Sequence, residues 1–199
     1  MIVVKLGGTE GVDFSAICQD VAALAAQGQQ LVLVHGGSAE ANELGQALGR
    51  PPRFVTSASG FTWRYTDRAT LEVFAMAVNG KVNTLLVEQL QMLKVNAFGL
   101  SGLDGRLLQA MRKATVRVVE DGRQRILRDD YTGKIEQVNT RILTDLLAAG
   151  FTPVIAPIAV SADGEALNVD ADRAAAMVAS ALQAETLLLL TAVPGLMRA

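Results

Sequence analysis

Two short stretches near the amino terminus combine a buried-strand pattern with a pair of glycines. They are Met1–Gly11, MIVVKLGGTEG, and Leu31–Ser38, LVLVHGGS. A run of Val, Ile and Leu that stops at a glycine pair is typical of a buried parallel strand followed by a turn whose backbone N–H groups approach a ligand. Helical patterns follow both runs, so both turns are predicted at the carboxyl edge of one sheet, where open α/β sheets bind ligands. With Lys5, the glycine pairs Gly7–Gly8 and Gly36–Gly37 predict a cradle for negatively charged oxygens.

A second group of residues could hold a carboxylate. Arg64 lies just before a predicted helix, and an arginine can grip a carboxylate through two parallel hydrogen bonds. The other interpretation is a surface arginine paired with Asp67. Asn168 and Asp172 are four residues apart around a predicted helix start, so they can share a face. For Asp172, an exposed or capping acid is the alternative interpretation.

These residue types favour phosphoryl transfer to an acid. A carboxylate nucleophile is already ionised at neutral pH and needs no general base; the difficulty is repulsion between two anions, which lysines, N–H groups and magnesium relieve. His35 is the only histidine, and we expect it to orient its loop rather than carry protons. Cys18, the only cysteine, lies in an apolar helical pattern and is expected in the core. The sequence offers no Cys/His metal cluster and no P-loop or dinucleotide fingerprint.

Composition limits the class of protein. The chain has 199 residues, of which 50% are hydrophobic, which suits one α/β domain spanning residues 1–199. The net charge of −2 comes from interspersed charges, so no partner nucleic acid is expected. We see no signal-peptide pattern and no apolar run long enough to span a bilayer. These features predict a cytoplasmic protein without a membrane partner.

Strand and helix patterns alternate along the chain, which predicts a mainly parallel sheet with right-handed crossovers. Arg53–Thr66 is expected to be extended or a hairpin with a turn near Ser57–Gly60, and Asp121-Gly122 predicts a small antiparallel hairpin between Thr115–Glu120 and Gln124–Leu127. Asn79-Gly80 is expected to separate two helices. The predicted strands are residues 2–6, Leu31–Val34, Ala97–Leu100, Thr152–Ile155 and Thr186–Leu190. The predicted helices are Asp13–Ala26, Ser38–Leu48, Asp67–Val78, Lys81–Leu93, Thr140–Ala149 and Val169–Leu182.

Taken together, several of these segments resemble the amino acid kinase family, and acetylglutamate kinase-like members in particular. The likeness is carried by VVKLGG, LVLVHGGS, RYTD…TLEVFAMAVNGKVNTLLV, GLSGLDG and NVDADRAA…LLLLTAVPGL. It implies a three-layer α/β/α sandwich that phosphorylates a side-chain carboxylate with ATP to give an acyl phosphate. Mg²⁺ is implied to arrive with the nucleotide, without a dedicated protein metal site.

The resemblance also implies a role for each candidate residue. Lys5 would stabilise the transferring phosphoryl group, and the two glycine pairs would supply backbone donors. Arg64 and Asn168 would hold the acyl substrate, and Asp172 would orient the catalytic lysine.

Other segments resemble a subgroup that acts in lysine biosynthesis on 2-aminoadipate, in some members also glutamate, tethered to a small acidic amino-group carrier protein. These segments are RPPRFVTSASGFTWRYTD, SGLDGRLLQAMRK and RDDYTGKIEQVN. Four basic residues would suit such a carrier, although ordinary solvated surface is the alternative: Arg106, Arg112, Lys113 and Arg117. Two other functions remain open, an N-acetylglutamate 5-kinase of arginine biosynthesis and a non-catalytic ligand- or carrier-binding remnant. By analogy with the family, a homodimer through the Asp67–Leu93 helices is expected.

Two departures from the family pattern occur near the end of the sequence. Ala192 stands where the family commonly has Asp or Asn, which predicts fewer polar contacts near the nucleotide. The family also continues past the position of Ala199 into an adenine-binding half with a second catalytic lysine. The sequence-based expectation is therefore a truncated nucleotide half, with weak ATP binding and negligible turnover by these 199 residues alone.

Overall fold

A computed structural model describes residues 1–8, 13–57, 60–113, 115–120 and 123–192. Parts of four predicted features lie outside the described residues: the Gly11 end of the first stretch, the middle of the turn near Ser57–Gly60, the Asp121–Gly122 turn and the tail Val193–Ala199. The strands are β1 (Ile2–Leu6), β2 (Leu31–His35), β3 (Phe54–Ser57), β4 (Thr62–Arg64), β5 (Ala97–Ser101), β6 (Leu108–Arg112), β7 (Val116–Glu120), β8 (Arg123–Leu127), β9 (Gly133–Val138), β10 (Thr152–Ala156), β11 (Ile158–Val160), β12 (Ala166–Asn168) and β13 (Thr186–Leu190). The α-helices are α1 (Phe14–Ala26), α2 (Ser38–Ala47), α3 (Arg68–Ala75), α4 (Thr84–Met92), α5 (Arg141–Ala148) and α6 (Ala171–Ala181).

The central sheet contains the five predicted strands in the order β13-β1-β2-β10-β5, with every neighbouring pair parallel. Lys5 pairs in register with Val34, and Leu6 with His35. β1 and β2 therefore end side by side, and the glycine pairs that follow them leave the same edge of the sheet. The mainly parallel sheet predicted from the sequence is confirmed.

Helices cover both faces of this sheet. On one face, α1 and α4 contribute Cys18, Val21, Leu86 and Leu90 to a core shared with β1 and β2. On the other face, α5 and α6 pack side chains such as Leu143 and Val178 against the same sheet. The α/β/α fold is thus confirmed. Cys18 is a core residue as expected, and burial raises the pKa of its thiol to about 11.

The part of the fold outside the central sheet is larger than predicted. Arg53–Thr66, expected to be extended or a hairpin, contains the antiparallel pair β3 and β4. One four-stranded sheet has the order β4-β3-β7-β8, and a second has the order β12-β11-β6-β9. The hairpin of β7 and β8 is confirmed, but β6, β9, β11 and β12 were not predicted. β11 and β12 have only three residues each. β9 (GKIEQV) places charged and polar residues beside buried Ile135, so its apolar pattern is too weak to mark a strand.

The predicted break between two helices at Asn79-Gly80 is wrong. Residues 68–92 form one continuous helix in which Met76–Asn83 makes wider, π-helical turns between α3 and α4. Buried Val78 and Val82 pack against Gly37 from this stretch, whereas Asn79 and Gly80 face outward. Burial of the inner face therefore overrides the turn preference of the Asn-Gly pair. In the described part of the chain, no helix is long and apolar enough to cross a membrane.

Candidate active site

The two glycine pairs meet backbone to backbone at the sheet edge. A Cβ on Gly8 would lie 2.0 Å from the Gly37 nitrogen, and one on Gly36 would lie 2.7 Å from the Gly8 nitrogen. The Gly36 N–H donates to the Leu6 carbonyl (2.8 Å), and the Ala39 N–H at the start of α2 donates to the Gly8 carbonyl (2.9 Å). Because no side chain fits between the loops, their N–H groups are held close together, as a phosphate-binding turn requires.

Lys5 lies beside these loops and is only 8% exposed. Its Nζ is 2.9 Å from Oδ1 of Asp172 in the first turn of α6. Asp170 caps this helix by accepting from the Arg173 N–H, so Asp172 is not the capping acid. The Asp172 side chain is 56% exposed, which leaves one side of the ion pair open to solvent. We name the group formed by Lys5, Asp172 and the two glycine pairs the phosphate cradle.

His35 supports the cradle from inside the protein. Its Nδ1 donates to the Gly36 carbonyl (2.6 Å), and its Nε2 accepts from Nδ2 of Asn83 (3.0 Å). The ring is fully buried, and this desolvation lowers its pKa to about 4. His35 is therefore neutral at pH 7 and orients the loop, as the sequence predicted.

Asn83 is a residue that the sequence analysis missed. The π-helical turns bring it under the sheet, where Nδ2 also donates to the Val154 carbonyl (2.9 Å). Gly99 makes room for it, since a Cβ there would lie 2.2 Å from Oδ1 of Asn83. The signal in the sequence was an asparagine on an apolar helix face, but the strands that Asn83 contacts are distant in the sequence.

Arg64 is 9% exposed at the end of β4. Its Nη2 donates to the Ser38 carbonyl (3.3 Å), and its guanidinium lies 5.3 Å from the centroid of the Phe54 ring. The predicted alternative of a surface arginine paired with Asp67 is wrong, because Arg64 is buried and no ion pair joins these two described residues; Asp67 caps α3 by accepting from the Thr70 N–H (2.8 Å). Burial lowers the pKa of Arg64. Within the described ranges no carboxylate pairs with this guanidinium, and a buried charge in that position favours an anionic ligand.

Asn168 is joined to Arg64 through Thr66, a second residue that the sequence analysis missed. Nδ2 of Asn168 donates to the Thr66 hydroxyl (3.0 Å), and that hydroxyl donates to the Arg64 carbonyl (3.0 Å). Thr66 is fully buried. We name Arg64, Thr66 and Asn168 the acyl clamp, after the role that the family resemblance implies for Arg64 and Asn168. Asn168 ends β12 shortly before α6 begins, so α6 connects the clamp to Asp172 of the cradle.

The four basic residues predicted for a carrier fall into two classes. Arg106 donates to the Ser161 carbonyl, and Arg112 pairs with Glu165 at 3.1 Å. Both are therefore engaged within the protein. Lys113 and Arg117 instead line a cavity of about 450 Å³ together with Lys134. Apolar groups line the same cavity: Phe61, Trp63, Met111 and Val116.

Among the described residues, no three His, Cys, Asp or Glu side chains form a group that could hold a metal ion.

Comparison with known proteins places the chain in a family. Residues 1–199 match the family described as the amino acid kinase family. A LysW-aminoadipate kinase of Deinococcus radiodurans is 57% identical over 198 residues, covering 100% of this chain and 68% of the relative. A LysW-aminoadipate kinase of Thermus thermophilus is 51% identical over 197 residues, covering 99% and 73%. The solved structure of N-acetylglutamate synthase from Neisseria gonorrhoeae, complexed with coenzyme A and N-acetylglutamate, is 30% identical with a TM-score of 0.74, covering 99% and 42%.

Proposed function

The chain belongs to the amino acid kinase family, and on that premise we propose that it transfers a phosphoryl group from ATP to the side-chain carboxylate of 2-aminoadipate linked to a small acidic carrier protein. The observation that carries the proposal is the buried Lys5 beside two touching glycine pairs at one sheet edge. The relatives that share at least half of its residues and are named LysW-aminoadipate kinases support the choice of substrate.

In this proposal the phosphate cradle holds the transferring group. Backbone N–H groups of Gly8 and Gly37 would bind phosphate oxygens. The N–H groups of Gly7 and Gly36, which were also predicted as donors to phosphate, donate instead to the Leu190 and Leu6 carbonyls (2.9 and 2.8 Å). Lys5 would spread the negative charge that develops during transfer, and Asp172 would fix the direction of its ammonium group. Mg²⁺ bound to the nucleotide would neutralise further phosphate charge.

The acyl clamp would orient the acceptor. The Arg64 guanidinium has no carboxylate partner in the described structure, so it can bind a carboxylate of the acceptor, and Asn168 retains a side-chain oxygen with which to accept a substrate N–H. The acceptor's carboxylate oxygen attacks the γ-phosphorus, the bond to the β–γ bridging oxygen breaks, and ADP leaves. No proton has to move, which agrees with the neutral, fully buried His35.

We further propose that the cavity beside β4 receives an acidic segment of the carrier. In the part of the chain that the structure describes, neither Lys113 nor Lys134 forms an ion pair, so both can meet carboxylates of a partner. Phe61 is 68% exposed and stacks on Trp63 at 6.0 Å, which offers an apolar platform. Trp63 directly precedes Arg64, so a segment bound here would lead its tethered substrate toward the acyl clamp.

The same proposal includes one domain over residues 1–199, a cytoplasmic setting for this biosynthetic step and a homodimer. Support for the dimer comes from the continuous helix, which exposes Met76 (51%), Leu85 (52%) and Met92 (79%) to solvent. Apolar side chains of this size on one helix suit contact with a second copy of the chain.

The reaction is tested by trapping the acyl phosphate as a hydroxamate with the complete gene product, MgATP and one of three acceptors. We expect carrier-linked 2-aminoadipate to react at least about tenfold better in kcat/KM than carrier-linked glutamate or free N-acetylglutamate. Faster reaction with free N-acetylglutamate would assign the protein to that substrate instead. Carrier binding without hydroxamate from any acceptor would favour a non-catalytic binding module.

The carrier surface is tested by reversing its charge. Lys113→Glu combined with Lys134→Glu should weaken binding of the carrier by about tenfold or more at low salt, and the difference should shrink as salt rises. Arg141→Glu combined with Lys94→Glu, at two exposed side chains, changes the net charge by the same amount and is the matched control. Equal losses of carrier affinity in this variant and in the control would show that binding depends on the overall charge and not on the cavity.

A further inference from the structure

The segment Asp129–Thr132 lies between the two parts of the acyl clamp. The Tyr131 N–H donates to the Thr66 carbonyl (2.7 Å), and the Tyr131 carbonyl accepts from the Asn168 N–H (2.9 Å). Thr66 and Asn168 are 102 residues apart in sequence. The segment therefore forms a backbone bridge that sets their separation.

Asp130 is the side chain that fixes this bridge. It is 2% exposed and accepts four hydrogen bonds from three residues. Oδ2 accepts from Nε1 of Trp63 at 2.8 Å. Oδ1 accepts from the Thr132 hydroxyl at 2.8 Å and from the backbone N–H groups of Thr66 and Thr132 at 3.2 Å each. The two oxygens of this carboxyl group supply acceptor sites for all four donors, which an amide in the same place could not do.

The far side of the bridge is also held. Nε of Arg112 donates to the Asp130 carbonyl (3.0 Å), and its guanidinium lies 3.6 Å from the centroid of the Tyr131 ring. The neighbouring acid differs sharply, since Asp129 is exposed and accepts from the Tyr65 hydroxyl. Two adjacent aspartates thus have separate surroundings, and only Asp130 contacts the acyl clamp.

We propose that Asp130 is a positioning residue for the acceptor: it sets the placement of Arg64, through Trp63 and Thr66, relative to Asn168, and so determines how tightly the acyl group is bound. This inference rests on the proposed function of the acyl clamp. It assigns Asp130 no contact with substrate and no part in the phosphoryl transfer itself. The loss of its carboxylate therefore acts on acceptor binding rather than on the phosphate cradle.

The test is steady-state kinetics of Asp130→Asn in the complete gene product with carrier-linked 2-aminoadipate. The asparagine amide turns an NH₂ group toward some of these donors, so at least one of the four hydrogen bonds is lost. We therefore expect KM for the acceptor to rise about tenfold, while kcat and KM for ATP stay within about twofold. Because Asp130 also lines the cavity proposed for the carrier, affinity for the carrier without aminoadipate is measured in parallel, and a fall equal to the rise in KM would assign the effect to the carrier surface and overturn a role in acyl binding. Asp129→Asn removes the same charge one residue away and should leave all of these constants unchanged.

A readout that needs no substrate separates this inference from the proposed function. Hydrogen exchange of the Thr66 and Asn168 amides should be at least about tenfold faster in Asp130→Asn than in Asp129→Asn. If Asp130→Asn does not fold, Thr132→Val, which removes one of the four donors, should raise the acceptor KM about threefold, and Thr132→Ser should restore it. Unchanged exchange, or an acceptor KM no higher than that of the Asp129→Asn protein, would overturn the role of Asp130. Absence of turnover by the unaltered protein would overturn the proposed function alone.

Discussion

The phosphate cradle and the acyl clamp are built by different means. Main-chain contacts form the cradle, because the glycine pairs touch backbone to backbone after two adjacent parallel strands. Side-chain hydrogen bonds hold the clamp, joining Thr66 to Asp130 and Asn168 across elements of the two smaller, four-stranded sheets. A Cβ added at Gly8 or Gly36 of the cradle therefore meets the backbone of the opposite loop. The geometry of the clamp depends instead on the chemistry of each side chain.

The largest effect that separates the two regions is expected at Lys5. Lys5→Ala should lower kcat about 10³-fold with little change in the acceptor KM, because the charge of the transferring phosphoryl group loses its main protein cation. Steady-state hydroxamate assays of the complete gene product measure both constants. Arg141→Ala, on the exposed face of α5, is the control and should react like the unaltered protein. A kcat within tenfold of the unaltered value would remove Lys5 from the cradle's chemistry.

The neutral His35 under the cradle predicts a pH dependence of stability. The pKa of His35 is about 4 in the folded chain, against 6.5 for a histidine in the unfolded chain. The unfolded chain therefore binds more protons between these two pH values, and the free energy of unfolding rises with pH across that window. The contribution of the neutral His35 ring to the free energy of unfolding is complete above pH 6.5, and about 3 kcal/mol of it is lost as the pH falls to 4. Urea unfolding at several pH values measures it. His35→Gln cannot titrate and should lack this component, so identical slopes for both proteins would contradict a buried neutral ring.

The tight backbone contact predicts that one methyl group damages the cradle. Gly8→Ala should lower the free energy of unfolding by about 2 kcal/mol, because its Cβ would overlap the Gly37 nitrogen. Gly80→Ala is a matched control, since nothing lies within 4 Å of its added Cβ and its φ is not in the left-handed region. In the helix it should be neutral or stabilise by up to about 1 kcal/mol. Equal unfolding free energies for the two variants would show that the loops can separate without cost.

The same difference explains what the sequence could predict. Lys5, the glycine pairs and the ends of β1 and β2 follow from local patterns, since a buried apolar run and its terminal glycines mark both the strand and the turn. The positions of Arg64 and Asn168 could be proposed only from residue type and resemblance. The bridge at Asp130 was not predicted, because its four donors lie on segments more than 60 residues away or in its own turn, and no periodicity records such contacts.

Where prediction failed, long-range burial was decisive. Asn79-Gly80 is a turn signal in isolation, but Val78 and Val82 hold that stretch in a helix by packing on Gly37. The strands β11 and β12 are three residues each, too short for alternation to distinguish them from loops. Asn83 and Thr66 support the site through contacts with strands that are distant in the sequence, so local patterns did not predict them.

The division between cradle and clamp is tested most directly by Arg64→Lys, measured beside Lys5→Ala on carrier-linked 2-aminoadipate. A lysine keeps the charge but loses the two-pronged contact with a carboxylate, so we predict a rise of about tenfold in the acceptor KM with kcat within about twofold. Arg68→Lys, on an exposed side chain of α3, controls for the exchange itself. A fall in kcat with unchanged KM in Arg64→Lys, matching the pattern of Lys5→Ala, would contradict a clamp that acts on the acceptor alone.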